Sequence, residues 1–331
     1  MPHEPAPPEI SELADARAAA RRARDWDLAD ELRARIETAG WKVIDSGTMY
    51  DLERSVVADV VEANRVLYGS STAVPSRLDD APVGVASVVM LATDWPGDVA
   101  RARTALLAHG PDGLQVVIVA NGPSGEQAAE LEALDGTDPG ASGAVTEVVW
   151  MSARVGHAAA LNAGIRRASA PVVVVLDTSV EPQGDLVSAL AAALGDDDVA
   201  VAGPFGVVSP DLRQFTGAPA DAVDVDAIEG YAMAFRRADY STLGPLDEHF
   251  TFYRNLDIWW SLVLRDGPAD RPEDAPARRA VRVTSAAVVR HEHRGWTSLP
   301  HDEVERLSKK NFYRVLKRFA SRRDLLVGAG S

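Results

Sequence analysis

The stretch Arg154-Val-Gly-His-Ala-Ala-Ala-Leu-Asn-Ala-Gly164 is followed closely by the apolar run Val172-Val-Val-Val-Leu176 and then by Asp177-Thr-Ser-Val-Glu-Pro182. An aspartate that ends a buried parallel strand faces the crevice where α/β proteins hold their ligands. Small residues at Gly156, at 158–160 and at Gly164 let the start of a helix approach a ligand closely, and helix N-termini favour phosphate. The same pattern also serves the packing of helix on sheet, with Asp177 capping the next turn. Asp257 opens a second apolar run, Asp257-Ile-Trp-Trp-Ser-Leu-Val-Leu264. There a carboxylate serves either as a proton acceptor or as a helix N-terminal stabiliser. His291 and His293, two residues apart after the strand-like 281–290, would share one face of an extended segment. That spacing suits metal or phosphate contact, and equally a structural role. Trp296, after Arg294-Gly295, would stack on a sugar or simply pack.

These residues need a frame. Strand-like runs at 85–92, 115–120, 147–150 and 172–176 alternate with helical stretches at 98–108, 124–133 and 158–168. Continuous Val/Ile strands alternating with helices predict a parallel sheet covered on both faces. The ligand positions are then those just past each strand: Thr93-Asp94, Asn121-Gly122, 151–156 and Asp177-Thr178-Ser179. There is no G-x-x-x-x-G-K-[ST] loop and no clean G-x-G-x-x-G after the first strand, which weakens P-loop and dinucleotide readings.

The 331 residues carry 34 Lys+Arg and 49 Asp+Glu, a net charge of −15, and no cysteine. Disulfides, thiolate zinc sites and cysteine nucleophiles are therefore excluded, and the acidity argues against a surface that embraces nucleic acid as a whole. Residues 1–9 are Pro-rich and acidic, unlike a signal peptide. No apolar run approaches the ~18–20 residues of a membrane span, so the expected location is the cytoplasm. A helical hairpin is predicted over 10–39, with a break near Arg24-Asp25, then a short strand at 41–45 and a further helix at about 50–68. The expected organisation is a leader (1–9), a hairpin module (10–68), a linker (69–82), an α/β domain (83–299) and a C-terminal helix and tail (300–331). That last helix, over 305–319, is amphipathic, and residues 306–323 hold eight Lys/Arg and no acid. It reads as a peripheral contact with phosphate, an anionic membrane face or a polyanionic acceptor, or as a solvated face that balances an acidic body.

The stretch from Arg154 to Pro182 resembles the family-2 glycosyltransferases of the GT-A fold, with their N-x-G-x-x-x-A-x-N-x-G helix start and Asp-rich strand end. Ser87-Val-Val-Met-Leu-Ala-Thr-Asp94 and Val117-Ile-Val-Ala-Asn-Gly122 are similar to the family's first two strands. Glu229-Gly-Tyr-Ala-Met-Ala-Phe-Arg-Arg237 with Leu243-Gly-Pro-Leu-Asp-Glu248 resembles its acceptor-side motif. Phe252-Tyr-Arg-Asn-Leu-Asp257, Arg265-Asp266-Gly267 and Val289-Arg-His-Glu-His293 follow in order, so the resemblance covers about 85–320. It implies inverting transfer of a sugar from a nucleotide-diphosphate donor to a hydroxyl acceptor, in the synthesis of a cell-surface polysaccharide or glycolipid at the membrane face. It places Thr93, Asp94 and Asn121 around base and ribose, Arg154 near the nucleotide, and Asp177 beside the diphosphate. Glu229 and Trp296 join the substrate site, Asp257 is the base, and Mg2+ or Mn2+ bridges the diphosphate with help from His291 or His293.

The sequence departs from this pattern at three positions. Thr178 and Ser179 stand where the family places a metal-binding acid, Asn255 falls on the usual base position, and Ala120 replaces a common nucleobase-contacting Asp. Weaker metal binding is expected, and the competing class is a sensor or scaffold that binds a nucleotide sugar without turning it over. A second resemblance covers 11–54. Ala16-Arg-Ala-Ala-Ala-Arg-Arg-Ala-Arg-Asp-Trp-Asp-Leu-Ala-Asp-Glu-Leu-Arg33, then Ala39-Gly-Trp-Lys-Val-Ile-Asp45 and Gly47-Thr48, is similar to the C-terminal tail of cysteinyl-tRNA synthetases. The absence of the zinc cysteines rules out aminoacylation, and the excess of acids over bases in 1–54 argues against tRNA as a partner. A docking module is the expectation.

Overall fold

A computed structural model describes residues 6–46, 49–54, 57–62, 65–92, 94–135, 145–272 and 275–327. They fall into two units, Met1–Ala58 and Asp59–Ser331. In the first, helices α1 (Pro8–Ala23) and α2 (Trp26–Thr38) form the predicted hairpin. Arg24 turns the chain with φ 61°, and Asp25 caps α2 by accepting from the Leu28 amide at 3.1 Å. Gly40 follows α2 with φ 78°, a conformation that costs glycine little. Strands β1 (Trp41–Ser46) and β2 (Met49–Arg54) then pair antiparallel, Trp41 opposite Arg54. Ile10, Ala14, Ile36, Trp41 and Val43 make a small core. Arg17 grips Asp45 with two bonds of 2.9 and 3.0 Å and Arg21 joins it, which together hold the Asp45 carboxyl down at about 2.

The described residues of 50–68 do not form the expected helix. Tyr50 and Leu52 turn inward while Asp51 and Glu53 face water, and that two-residue alternation makes β2. Val60–Glu62 (β3) and Arg65–Leu67 (β4) form a second hairpin, within the second unit. Nor is 69–82 a free linker. The Tyr68 amide donates to the Trp150 carbonyl at 2.8 Å, Arg166 Nε donates to the Val74 carbonyl at 2.8 Å, and Val74 is fully buried. The division between units falls at Ala58/Asp59, before this segment.

In the second unit the predicted alternation appears as β5 (Ala86–Ala92), α3 (Pro96–His109), β6 (Gln115–Asn121), α4 (Gly125–Leu134), β7 (Val145–Met151), α5 (His157–Ile165) and β8 (Val172–Leu176). There follow β9 (Val180–Pro182), α6 (Leu186–Ala193), β10 (Val199–Gly203), β11 (Gly206–Val208), β12 (Thr216–Gly217), β13 (Asp224–Val225), β14 (Ala227–Ile228) and β15 (Ala232–Arg236). The chain ends through α7 (Arg237–Leu243), α8 (Leu256–Asp266), β16 (Arg279–Arg282), β17 (Val288–Arg290), α9 (Arg294–Thr297) and α10 (His301–Phe319). The central sheet has the order β13-β16-β10-β15-β8-β5-β6-β7. The strands β8, β5, β6 and β7 run parallel, while β15 is antiparallel to both β8 and β10. Val88, Met90 and Ile118 bury one face, and Val89, Val117 and Val119 the other, as a sheet covered on both sides requires.

Helix α10 belongs to this unit and buries Val304, Ser308, Asn311, Val315 and Phe319. Arg306 and Lys309 pair with Glu303 and Glu305 of the same helix, Arg314 pairs with Asp247 at 2.9 Å, and Arg322, just past the helix, pairs with Asp266 at 2.5 Å. Arg318 lies 3.9 Å from Asp266. These pairs balance charge within the unit. No helix among the described residues is long and apolar enough to cross a membrane.

Candidate functional site

Parallel strands end together, so the sheet itself assembles the first group of residues. Asp94 follows β5; its carboxylate accepts from the Ser124 amide at 2.7 Å and pairs with Arg154 at 2.7 Å. Asn121 ends β6 and exchanges two bonds with the Val155 backbone, at 2.8 and 2.9 Å, which fixes the loop after β7. Gly122 sits at φ 63° and a Cβ there would lie 3.1 Å from Arg154, so this close approach requires glycine. Asp94, Asn121 and Arg154 are thus brought together at one edge. Thr93 lies outside the described residues. At α5 the packing reading prevails: the amides of His157 and Ala158 donate to the carbonyls of Thr251 and Phe250, both at 3.0 Å, instead of facing a phosphate. A Cβ on Gly164 would sit 2.5 Å from Val89 and 2.8 Å from Val119, so this glycine lets α5 lie on the sheet.

The second group lines a cavity of about 350 Å³. Asp177, just past β8, accepts from the Ser179 amide at 2.8 Å and from its hydroxyl at 2.5 Å. Ser179, at the expected position of a second acid, is thereby committed to orienting the first. The other Asp177 oxygen lies 3.3 Å from His293 Nε2. Burial pushes the Asp177 carboxyl up, but the bonds and charge of His293 and the bonds of Ser179 outweigh it and hold the group below its ordinary value. His157 also lines the cavity. Burial, against the pull of Asp177, holds its imidazole down at about 4, so it is neutral near pH 7.

Glu229, Gly230, Tyr231, Asp257 and Arg290 close the polar part of the cavity. Asp257 occupies the first turn of α8, yet its Oδ2 turns away to accept from the Gly230 amide at 2.8 Å, while Oδ1 accepts from Ile258 N at 2.9 Å. Burial raises its proton affinity despite these amides and Arg254. Burial also raises Glu229, with Asp257 adding to the effect and Arg290, at 3.7 Å, opposing it. The Arg290 guanidinium rests over the Tyr231 ring at 4.7 Å. Asn255 also lines the cavity, but its side-chain amide is engaged: in a left-handed conformation (φ 69°), it donates to the Ser308 carbonyl of α10 at 3.0 Å.

His291 is placed differently from the expectation. β17 stops at Arg290, so the two histidines are not on one extended face. His291 pairs with Glu181 at 2.7 Å, and His293, the residue before α9, reaches Asp177 instead. Of Trp296 only the backbone, within α9, is described. The pair that would hold a divalent ion is therefore Asp177 with His293. Asp177 Oδ2 and His293 Nε2, 3.3 Å apart, would each give such an ion one ligand atom. Among the described residues no three His, Asp or Glu side chains converge, so the remaining positions would fall to substrate oxygens or water. His157, Tyr231, Tyr253 and Arg290 are cavity residues that motif reading missed. Each lies inside or beside a quoted motif, but nothing in its type or spacing says which way it faces.

A family model described as glycosyl transferase family 2 matches residues 87–255. No curated protein matches the chain in sequence. Among solved structures, GalNAc-T7 with UDP, GalNAc and Mn2+ is similar at TM-score 0.53 and 13% identity, over 70% of this chain and 48% of that one. The mannosyltransferase PcManGT from Pyrobaculum calidifontis, in complex with GDP-Man and Mn2+, gives TM-score 0.48 and 20% identity, over 68% of this chain and 61% of that one. The chain thus spans about half the length of the first and under two thirds of the second. The fold of the second unit is the GT-A fold.

Proposed function

This chain belongs to glycosyl transferase family 2, and on that premise we propose that it transfers a sugar from a nucleoside-diphosphate donor to a hydroxyl acceptor, with inversion at the anomeric carbon. The observation that carries the reading is one cavity lined by both a carboxylate of raised proton affinity, Asp257, and the Asp177–His293 pair. The donor nucleotide lies along the strand ends near Asp94, Asn121 and Arg154, and its diphosphate meets Asp177 and His293. A divalent ion bound by these two would offset the charge that grows on the leaving diphosphate. The acceptor oxygen attacks the anomeric carbon from the face opposite the diphosphate. The bond from that carbon to the phosphate oxygen breaks with its electron pair, and Asp257 takes the hydroxyl proton. Arg290, beside Glu229, adds positive charge at the rim.

Calorimetry with UDP, GDP, dTDP and their sugars, with and without Mn2+ or Mg2+, tests this reading. One nucleotide sugar should bind, and Asp177→Asn or His293→Ala should abolish any tightening by metal. Asp257→Asn should keep donor affinity and lose turnover by ~10²–10⁴-fold, the usual worth of a general base. Failure of every nucleotide to bind would overturn the proposal, and donor binding with no turnover under any acceptor would favour a sensor instead.

A further inference from the structure

We infer that Asp98, which does not line the cavity, is the positioning residue of the Asp177–His293 pair: through two arginines it fixes both members against each other. The inference rests on the transferase reading only for what the pair binds; the hold on the pair stands on geometry. Asp98 lies in the first turn of α3 and is 6% exposed. An acid there favours the helix start, but that gives no reason to bury it, and a buried carboxylate is costly unless paired. Asp98 is paired twice. One oxygen accepts from Arg101 Nη1 at 3.0 Å and the other from Arg294 Nε at 2.9 Å.

Each arginine then reaches one half of the pair. Arg101 Nη2 donates at 3.2 Å to the carbonyl of Thr178, the residue after Asp177. Arg294 is the residue after His293 and opens α9. One carboxylate thus joins three chain segments, around 98, 178 and 294, that approach one another only in the fold. A second clip binds the last two of these. β9 pairs with β17, the His291 amide donates to the Ser179 carbonyl at 2.7 Å, and the His291 ring meets Glu181 at 2.7 Å. Arg101 Nε, 3.8 Å from Glu181, links the two clips. His291, expected at a metal, therefore serves the frame around the pair. The second clip ends at His291, before His293, so it alone leaves that ring unfixed; the bond from Arg294 to Asp98 holds the chain on its other side. Outer groups of this kind set the orientation of metal-binding side chains.

Hydrogen exchange on the full chain, with calorimetric titration of Mn2+ alone, tests the inference. Asp98→Asn should speed exchange about tenfold at the amides of Ser179, Val180 and Ser298, the scale of one lost charge-assisted bond, while the amides of α8 keep their rates. Arg101→Gln should loosen only the first two amides, and Arg294→Gln only the third. Both arginines are partly exposed, so these variants carry the test if Asp98→Asn does not fold. The wild type should bind Mn2+, and Asp98→Asn should bind it about tenfold more weakly, the low end of what partners of metal ligands contribute. Faster exchange throughout the chain, or unchanged exchange in either segment, would overturn the inference. Local loosening with undiminished Mn2+ affinity would overturn it as well. A wild type that binds no Mn2+, with both segments loosened in Asp98→Asn, would support the hold of Asp98 and overturn the divalent ion of the transferase reading instead.

Discussion

Asp257 reconciles two roles that the sequence left open. It lies in the first turn of α8, where an acid is favourable, but one of its oxygens is turned to the Gly230 amide and the cavity. Raised proton affinity suits a base that must collect a hydroxyl proton near neutral pH. His157 gives a sign that can be measured. In the fold it stays neutral down to about pH 4, whereas an unfolded chain protonates it near ~6.5. The unfolded state thus binds more protons in that window, so the His157 contribution is undiminished above ~6.5 and falls as pH drops toward 4. A His157→Asn variant should lose less melting temperature than the wild type between pH 7 and pH 5, followed by scanning calorimetry. Asp177 and Asp257 could be singled out by their places after a strand and at a helix start, but capping explains an acid at either place equally well, and only the fold shows that both line one cavity. The choice between His291 and His293 was not legible, because it depends on where β17 stops, and no residue between them announces that stop.

Elements were legible where the apolar period was long and uninterrupted, as in β5, β6 and β8. The region from Tyr50 to Tyr68 misled because Val, Tyr and Leu there fit either period, and pairing with β1 decided for a strand. The N-terminal hairpin offers a test of its own. Asp45 is held at about 2 against an ordinary 3.8, so its stabilisation is present above pH 3.8 and is lost as pH falls through 2. Its side chain is 35% exposed, and solvent screening reduces the expected effect of Asp45→Asn to about 1 kcal/mol at pH 7. Hydrogen exchange by the described residues of the hairpin should show that loss in full at pH 7 and only a small part of it at pH 2. In the second unit Gly164→Ala would drive a methyl into Val89 and Val119. Overpacking of this kind costs ~1–3 kcal/mol, and a drop of several degrees in melting temperature is expected.

Among the described residues the first unit has a small hydrophobic core of its own, and the second has two, one on each face of its sheet, with no residue shared between the units. A chain reduced to Asp59–Ser331 should therefore fold and bind the same nucleotide sugar as the intact protein, with calorimetry reading both. The basic run near the C-terminus was visible in the sequence, but two of its acids were not, since Asp247 and Asp266 come from distant positions. The same helix does something the motifs do not record. Asn311 of α10, 1% exposed, donates at 2.8 Å to the carbonyls of both Phe252 and Arg254, and Asn255 donates back to Ser308. The loop that presents Tyr253 and leads into Asp257 is thus held by residues translated more than fifty codons later, beyond the stretch that the family model matches. On a nascent chain this loop can take its final form only after residues 308–311 have emerged from the ribosome, well after its own residues have done so.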